Sequence, residues 1–404
     1  MSAPRTRVTL GFLGVAHAFS HLVMLLYPTA VLAMEGEFGG LGYAELLPLS
    51  VAGYVLFGVA ALPMGWLGDR WSSAWMIALF FVGTGAATAW TGLATGPWTL
   101  LAALTLTGLF AAIYHPIAIA WIASATDRPG RALGYNGVFG SAGVAAGPLL
   151  AGLLADTAGW RAAFILPGLA CLLTGVAFAA LLWRGRLVMG QITAGRGGNA
   201  PAEGNGLRTL ALMFVAMVCT GLIFQISSIG MPKVFQDRLG AWIGSGAFSA
   251  GALVSAIFML SAMGHLIAGA LADRFDRRLL YVLIFSIQVV LLTVAAVTFN
   301  PLLVVLVFVA ITLNTGNAVV ENVLLARYTP AAWRSTGYGV KFVLSLGLGG
   351  LGVPLVALIY GQTGSFTGVF LAMAAFAAAG AALGFGLPRA ARRGERPAVA
   401  QPAA

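Results

Sequence analysis

The run Gly269-Ala270-Leu271-Ala272-Asp273-Arg274-Phe275-Asp276-Arg277-Arg278 has a reduced copy 204 positions earlier, Gly65-Trp66-Leu67-Gly68-Asp69-Arg70. In both, a segment of small and apolar residues ends in Asp-Arg. The first copy carries Trp71-Ser72-Ser73 in place of the basic tail. The same displacement carries Pro97 onto Pro301. A displacement of 203 carries the stretch from Thr126 to Arg131, with Gly134-Tyr135, onto the stretch from Thr329 to Arg334, with Gly337-Tyr338. A spacing of 203 to 204 held across three separate landmarks means that the chain contains the same half twice.

Around these landmarks the chain is apolar almost throughout. It is 60% hydrophobic and 8% charged over 404 residues, with a mean hydropathy of +0.93, against the roughly 25% charged residues of soluble domains. Stretches of about 20 apolar residues, each long enough to cross the bilayer's hydrocarbon as a helix, recur along it. Twelve are expected, near 8–33, 45–67, 74–95, 98–123, 132–154, 161–183, 208–231, 246–272, 279–299, 301–326, 335–360 and 365–387. The first follows Arg5 and Arg7 as a signal peptide would, but its apolar run is too long and it lacks a small-residue cleavage site, so it is read as span 1. The expected fold is an all-α polytopic membrane protein of twelve transmembrane helices in two pseudo-symmetric six-helix bundles, residues 1–184 and 208–388. Residues 185–207, polar and glycine-rich, read as a flexible cytoplasmic linker, and 389–404 as a disordered cytoplasmic tail.

The formal net charge of +10 is spread over inter-span loops and forms no patch, which argues against nucleic acid. Topology accounts for it better. With a cytoplasmic N-terminus, eighteen of the 22 Lys and Arg fall on the cytoplasmic side, and only Arg161, Lys233 and Arg238 fall in outside loops. The positive-inside rule then places both termini in the cytoplasm of a bacterial inner membrane. Cys171 and Cys219 lie within spans 6 and 7 at no metal-ligand spacing and read as inert buried thiols. No G-x-x-x-x-G-K-[ST] loop is present, so ATP hydrolysis is not expected and the chain is not read as an enzyme.

The Asp-Arg motif, nearly complete at Gly269 to Arg278, resembles the loop signature of the major facilitator superfamily, and the likeness extends over essentially the whole chain. In span 5, Gly143-Val144-Ala145-Ala146-Gly147-Pro148-Leu149-Leu150-Ala151-Gly152 resembles that family's G-x-x-x-G-P antiporter motif. Glycines at this spacing let helices approach closely, and Pro148 can bend the helix. Gly108 to Pro116, with Tyr114-His115-Pro116, weakly resembles span 4 of fosmidomycin-resistance-type exporters, although Ile117 stands where that group often carries an acid. The resemblance implies that spans 1, 4, 7 and 10 line a central cavity. Asp69, Arg70, Asp273 and Arg274 are then read as cytoplasmic latches, the alternative being topology-fixing loops with no role in switching. A latch carboxylate there would accept hydrogen bonds from neighbouring helix N-termini.

Polar groups within the bilayer are costly and usually face a cavity or one another. Here they are His17 and His21 in span 1, His115 in span 4, Gln225 in span 7, Asn314, Asn317 and Glu321 in span 10, and Lys341 in span 11. These eight are the candidate substrate or proton sites. His17 and His21, four apart, share a helix face. They suit a polar cavity wall, a proton-accepting pair or hydrogen-bonded packing. No carboxylate or cysteine at similar depth in span 1 completes a metal site, so neither metal nor cofactor is expected. His115 lies about 16 Å deep by helical rise, near the midplane where carriers bind substrate. It is either a site residue or a kink histidine bonding a carbonyl freed by Pro116. His265 is expected to be packed. Glu321 and Lys341 come out at similar depths, roughly 9 and 10 Å, on successive antiparallel spans, and an ion pair would offset the cost of burying each.

These readings converge on a secondary active transporter moving a small organic solute by alternating access, with proton-coupled export as the first expectation. A facilitator or uptake carrier for a small organic anion is the alternative, and a non-transporting membrane receptor a further one. The expected partners are a small-molecule substrate, protons and membrane lipid, with the protein a monomer.

Overall fold

In the computed structural model, which describes residues 3–124, 129–187, 206–329 and 334–388, eleven helices are long and apolar enough to cross a bilayer and a bent pair supplies the twelfth. They are α1 (Arg5–Ala33), α2 (Tyr43–Val59 and Ala61–Arg70, bent by 45°), α3 (Ser73–Gly92), α4 (Pro97–Ile122), α5 (Arg131–Ala158) and α6 (Ala162–Trp183), then α7 (Gly206–Ile243), α8 (Ala247–Arg274), α9 (Arg277–Ala296), α10 (Leu302–Leu325), α11 (Gly337–Thr363) and α12 (Thr367–Phe385). The central stretch of the expected linker, the expected tail from 389, and loop residues 125–128 and 330–333 lie outside the described residues. With twelve spans, the start of α1 and the end of α12 lie on one face, called here the termini face.

The repeat is visible in how the helices start. Ser72 accepts a hydrogen bond from the Trp75 backbone N–H (3.4 Å) at the start of α3, and Asp276 accepts one from Leu279 (2.8 Å) at the start of α9. The two caps lie 204 apart, so Ser72 keeps the capping role although the basic tail around it is lost. Packing repeats as well: α5 lies on α1 and α11 on α7, while α3 pairs with α6 and α9 with α12. Large apolar side chains such as Trp98, Trp183 and Leu207, 80 to 86% exposed, stand on the outer surface as lipid-facing and interface anchors.

The span 5 glycines act as their spacing suggests. Gly143 lies against Ala18 of α1, where a Cβ would collide with main chain, and Gly147 against Leu22 and Leu25, where it would press on the Leu25 side chain. Gly152 and Pro148 face α8 of the other half, against Ala247 and Gly251, and the Ser255 hydroxyl donates to the Ala145 carbonyl.

Two basic residues expected in an outside loop are instead on a helix, because α7 runs on to Ile243, past the end of its apolar window near 231. Lys233 is buried, 2.6 Å from Glu35 of the first half and 3.3 Å from Asp237. Arg238 is buried and donates to the carbonyls of Ala295 (2.7 Å), Ala296 (3.1 Å) and Thr298 (3.1 Å), closing the C-terminal end of α9. A cation there satisfies orphan carbonyls and suits the helix dipole. Hydropathy cannot register such a helix extension because its partners are charged and main-chain groups.

Polar contacts between the halves gather on the face opposite the termini. Besides Glu35–Lys233, the Tyr43 hydroxyl donates to the Ile229 carbonyl (3.3 Å), and Asp156 caps α8 by accepting from Ala247 (3.2 Å) and Phe248 (2.9 Å). Midway through the membrane α2 and α11 touch at Gly58 and Gly347. Toward the termini face, Trp66, Leu67, Tyr135, Val138, Met263 and Leu266 are exposed.

Candidate functional site

Each bundle contributes one polar cluster, on its first, fourth and fifth helices, joined in the second half by α9. In the first half, α4 breaks at Ala112–Ile113. Pro116 has no N–H to give to the Ala112 carbonyl, so the helix unwinds there, and His115 turns into the interior beside His17 and His21 of α1. The ring centroids lie 5.0 Å apart for His17–His21, 5.2 Å for His21–His115 and 5.4 Å for His17–His115. One ring nitrogen from each of the three lies within 4.8 Å of the others. Neither nitrogen of His115 meets a hydrogen-bond partner, although the residue is 6% exposed. The kink-histidine reading, in which it bonds a freed carbonyl, therefore does not hold.

His17 is held from α5. Its Nδ1 lies 2.8 Å from the Asn136 carbonyl oxygen and 3.1 Å from Asn136 Nδ2. With its proton Nδ1 donates to the carbonyl and without it accepts from the amide, so in either tautomer Asn136 engages Nδ1 and leaves Nε2 free of it. Asn136 is buried and accepts from the Tyr114 hydroxyl (2.8 Å). The His17 ring occupies the space left by Gly140, where a Cβ would lie 2.6 Å from Nε2.

In the second half the matching helices carry charge. Glu321 of α10 is fully buried. Its Oε1 accepts from the Thr220 hydroxyl of α7 (2.6 Å) and the Tyr281 hydroxyl of α9 (3.0 Å). Its Oε2 faces Lys341 Nζ at 3.2 Å, the pairing that matched depth suggested. That contact is a charge pair without hydrogen-bond alignment, since Oε2 has no hydrogen-bond partner. The lysine donates instead to the Ala318 carbonyl (3.1 Å) and Asn322 Oδ1 (2.7 Å). Asn317 Nδ2 donates to the Thr220 hydroxyl and Asn314 Nδ2 to the Thr220 carbonyl, both at 3.4 Å. Gln288 of α9 reaches Asn314 Oδ1 at 3.4 Å. Gln225 is buried nearby with its amide nitrogen unpartnered.

The clusters touch through α11. Phe342, next to Lys341, stacks on His115 with centroids 5.3 Å apart and planes 22° from parallel. Beyond it α11 widens into a π-helical turn over Val343–Gly347, a distortion frequent at functional sites.

All eight candidate site residues are thus brought into these two clusters or beside them. The latch residues are not engaged. Asp69, Arg70, Asp273 and Arg274 are exposed; Arg70 lies over the Trp66 ring (4.1 Å). Among the described residues, no hydrogen bond or ion pair reaches Asp69 or Asp273. The capping contact expected of Asp69 is made instead by Asp156 on the opposite face. His265, expected to be packed, is exposed on α8. Sequence reasoning missed Asn136, Thr220, Tyr281 and Gln288. Asn136 and Gln288 carried the same signal as the residues found, an amide inside an apolar span, whereas Thr and Tyr are too common in such spans to stand out.

A family model described as Major Facilitator Superfamily matches residues 13–340 and, in a second match, 213–404. The chain is 35% identical over 115 residues to the puromycin resistance protein pur8 of Streptomyces alboniger, covering 28% of this chain and 23% of that one. It is 34% identical over 132 residues to the tetracenomycin C resistance and export protein of Streptomyces glaucescens, covering 31% and 24%. The matches thus span about a quarter of the length of these curated relatives. Among solved structures, the fold is similar to that of a bacterial homolog of the human lysosomal transporter Spinster in an inward-facing, occupied conformation. There the TM-score is 0.78 at 14% identity, over 95% of this chain and 97% of that one. It is also similar to a variant of the peptide transporter POT in complex with alafosfalin, with a TM-score of 0.75 at 16% identity, over 95% and 93%.

Proposed function

This chain belongs to the Major Facilitator Superfamily, and from that premise we propose that it is a proton-coupled exporter of a small organic compound, working by alternating access. It is a transporter and not an enzyme. The observation that carries the coupling is Glu321, a fully buried carboxylate facing one lysine and bonded by two hydroxyls. A proton on Glu321 removes the charge that faces Lys341 and leaves the lysine to Ala318 and Asn322. The relaxation falls on α11 one residue before Phe342 and the π-helical turn. The Ser345 hydroxyl of that turn donates to the Met217 carbonyl of α7 (3.4 Å), and its Gly347 touches α2. A charge change in one bundle thus reaches the surface on which the bundles rock. Export is supported by the resistance and export proteins among the relatives.

The arginine distribution favours a cytoplasmic termini face. Glu321→Gln in proteoliposomes is expected to abolish flux driven by a pH gradient while sparing counterflow. Gradient-driven flux at the wild-type rate would refute the coupling role. Asp69→Asn and Asp273→Asn are expected to slow net transport without loss of folded protein, because the latches close the termini face in the other state. Equal flux at equal expression would remove the latches from the mechanism.

A second reading, uptake of a small organic anion, is favoured by the first-half cluster, which holds three imidazoles and, among the described residues, no carboxylate. Counterflow that ignores the proton gradient, with accumulation inside, would replace export by this reading.

A further inference from the structure

We infer that His17, His21 and His115 form a binding site for a divalent transition-metal ion of the class zinc and cobalt represent, with three imidazole ligands and a fourth position for water. The inference does not depend on the direction of transport or on proton coupling.

Three observations carry it. One nitrogen from each ring already lies within 4.8 Å of the other two. Tetrahedral zinc with bonds of 2.0–2.1 Å needs nitrogens roughly 3.4 Å apart, so closing the set asks for about 1.4 Å of movement at most, within the reach of small ring rotations on helices that stay in place. Second, both His115 nitrogens are unpartnered in a residue that is 6% exposed. Buried polar atoms are nearly always bonded, and a pair that is not calls for an absent partner. The ring is boxed in by Phe57 (5.7 Å) and Phe342 (5.3 Å), which offer no hydrogen bond. Third, His17 is set up as metal-binding histidines are. Its Nδ1 is engaged by Asn136, with the carbonyl oxygen at 2.8 Å and the amide nitrogen at 3.1 Å; the tautomer that donates to the carbonyl leaves a lone pair on Nε2 for a metal, and Asn136 is itself anchored by Tyr114.

The ligand type selects the metal. Three neutral imidazoles with no carboxylate suit zinc, cobalt, nickel or copper and do not suit magnesium or calcium, which take oxygen. The reading of span 1 alone found no third ligand because that ligand comes from α4, nearly a hundred residues away, and only where the helix unwinds at Pro116.

The test uses the full-length protein in detergent, purified without a polyhistidine tag and stripped with a chelator. Co²⁺ is titrated while its ligand-field absorption is followed, and Zn²⁺ is then competed against it. One ion per chain is expected, with the intense absorption of a four-coordinate nitrogen-rich site, displaced by Zn²⁺ and not by Mg²⁺. His21→Gln and His115→Gln should each weaken binding at least tenfold, Asn136→Ala should weaken it about 10- to 100-fold through His17, and His265→Gln, at the remaining histidine, should leave it unchanged. Melting of each metal-free variant by intrinsic fluorescence separates lost binding from lost fold; should His115→Gln melt early, His21→Gln with normal melting decides. The inference is overturned if wild type takes up no stoichiometric ion, or if the folded His21→Gln variant binds as wild type does. It is equally overturned if His265→Gln removes the signal.

Discussion

The two bundles carry their polar groups at corresponding places, α1, α4 and α5 against α7, α10 and α11, yet treat them in opposite ways. The second half buries a full negative charge and surrounds it with a lysine and two hydroxyls. The first half gathers three imidazoles, His115 buried and His17 and His21 half-buried, bonds His17 and leaves His115 without a partner among the described residues. A carboxylate taken out of water without compensation is far too costly to keep, so its charge must be offset, here by Lys341 and two hydroxyls although Oε2 accepts no hydrogen bond. An imidazole can be buried neutral, and the penalty for an unmade bond is small enough to carry where a ligand will later make it. The comparison teaches that a repeated scaffold can hold a closed electrostatic unit in one half and an open coordination-type unit in the other. α11 brings both to one point at Phe342.

The largest effect is expected from breaking the closed unit. Lys341→Met leaves Glu321 facing no cation and should lower stability by about 3–5 kcal/mol, read as loss of folded protein in chemical unfolding or in yield. The exchange Glu321→Lys with Lys341→Glu should recover part of that loss. No recovery over either single variant would mean that the 3.2 Å contact contributes nothing. A smaller and graded difference should separate two tyrosines. Tyr281→Phe removes a hydrogen bond to a carboxylate and should cost about 1.5–3 kcal/mol, whereas Tyr114→Phe removes a neutral bond to Asn136 and should cost about 0.5–1.5 kcal/mol. Equal losses would erase the distinction between the clusters. The smallest effect is expected at His115. In metal-free protein His115→Phe deletes two unpartnered nitrogens and keeps a ring between Phe57 and Phe342, so stability should stay within about 1 kcal/mol of wild type or rise. A loss of several kcal/mol would mean that the imidazole is bonded after all.

Parts of these clusters could be read before any fold was known. His17 and His21 are neighbours by helical period alone, and Glu321 and Lys341 match in depth by counting residues from span ends. Both inferences use distances that a straight helix sets in advance. Asn136 and Tyr281 were out of reach because each joins its cluster across a helix–helix contact, at sequence separations of 119 and 40 residues. Arg238 and Lys233 were assigned to a loop because hydropathy reports lipid contact and is blind to a helix that continues on charged and main-chain partners.

The sequence by itself determined the spans and their division into two like halves, and it predicted which polar residues lie within them. These follow from the hydrocarbon thickness, the rise of a helix and a repeat spacing, all of which run along one dimension. Only the tertiary structure decided which polar residues meet: that a helix broken at Pro116 turns His115 onto His17 and His21, that Asp156 and not Asp69 caps a helix of the other half in this conformation, and that Phe342 links the two clusters. Those outcomes depend on the rotation of each helix about its axis and on where its backbone unwinds, which packing against neighbouring helices sets and hydropathy along the chain does not record.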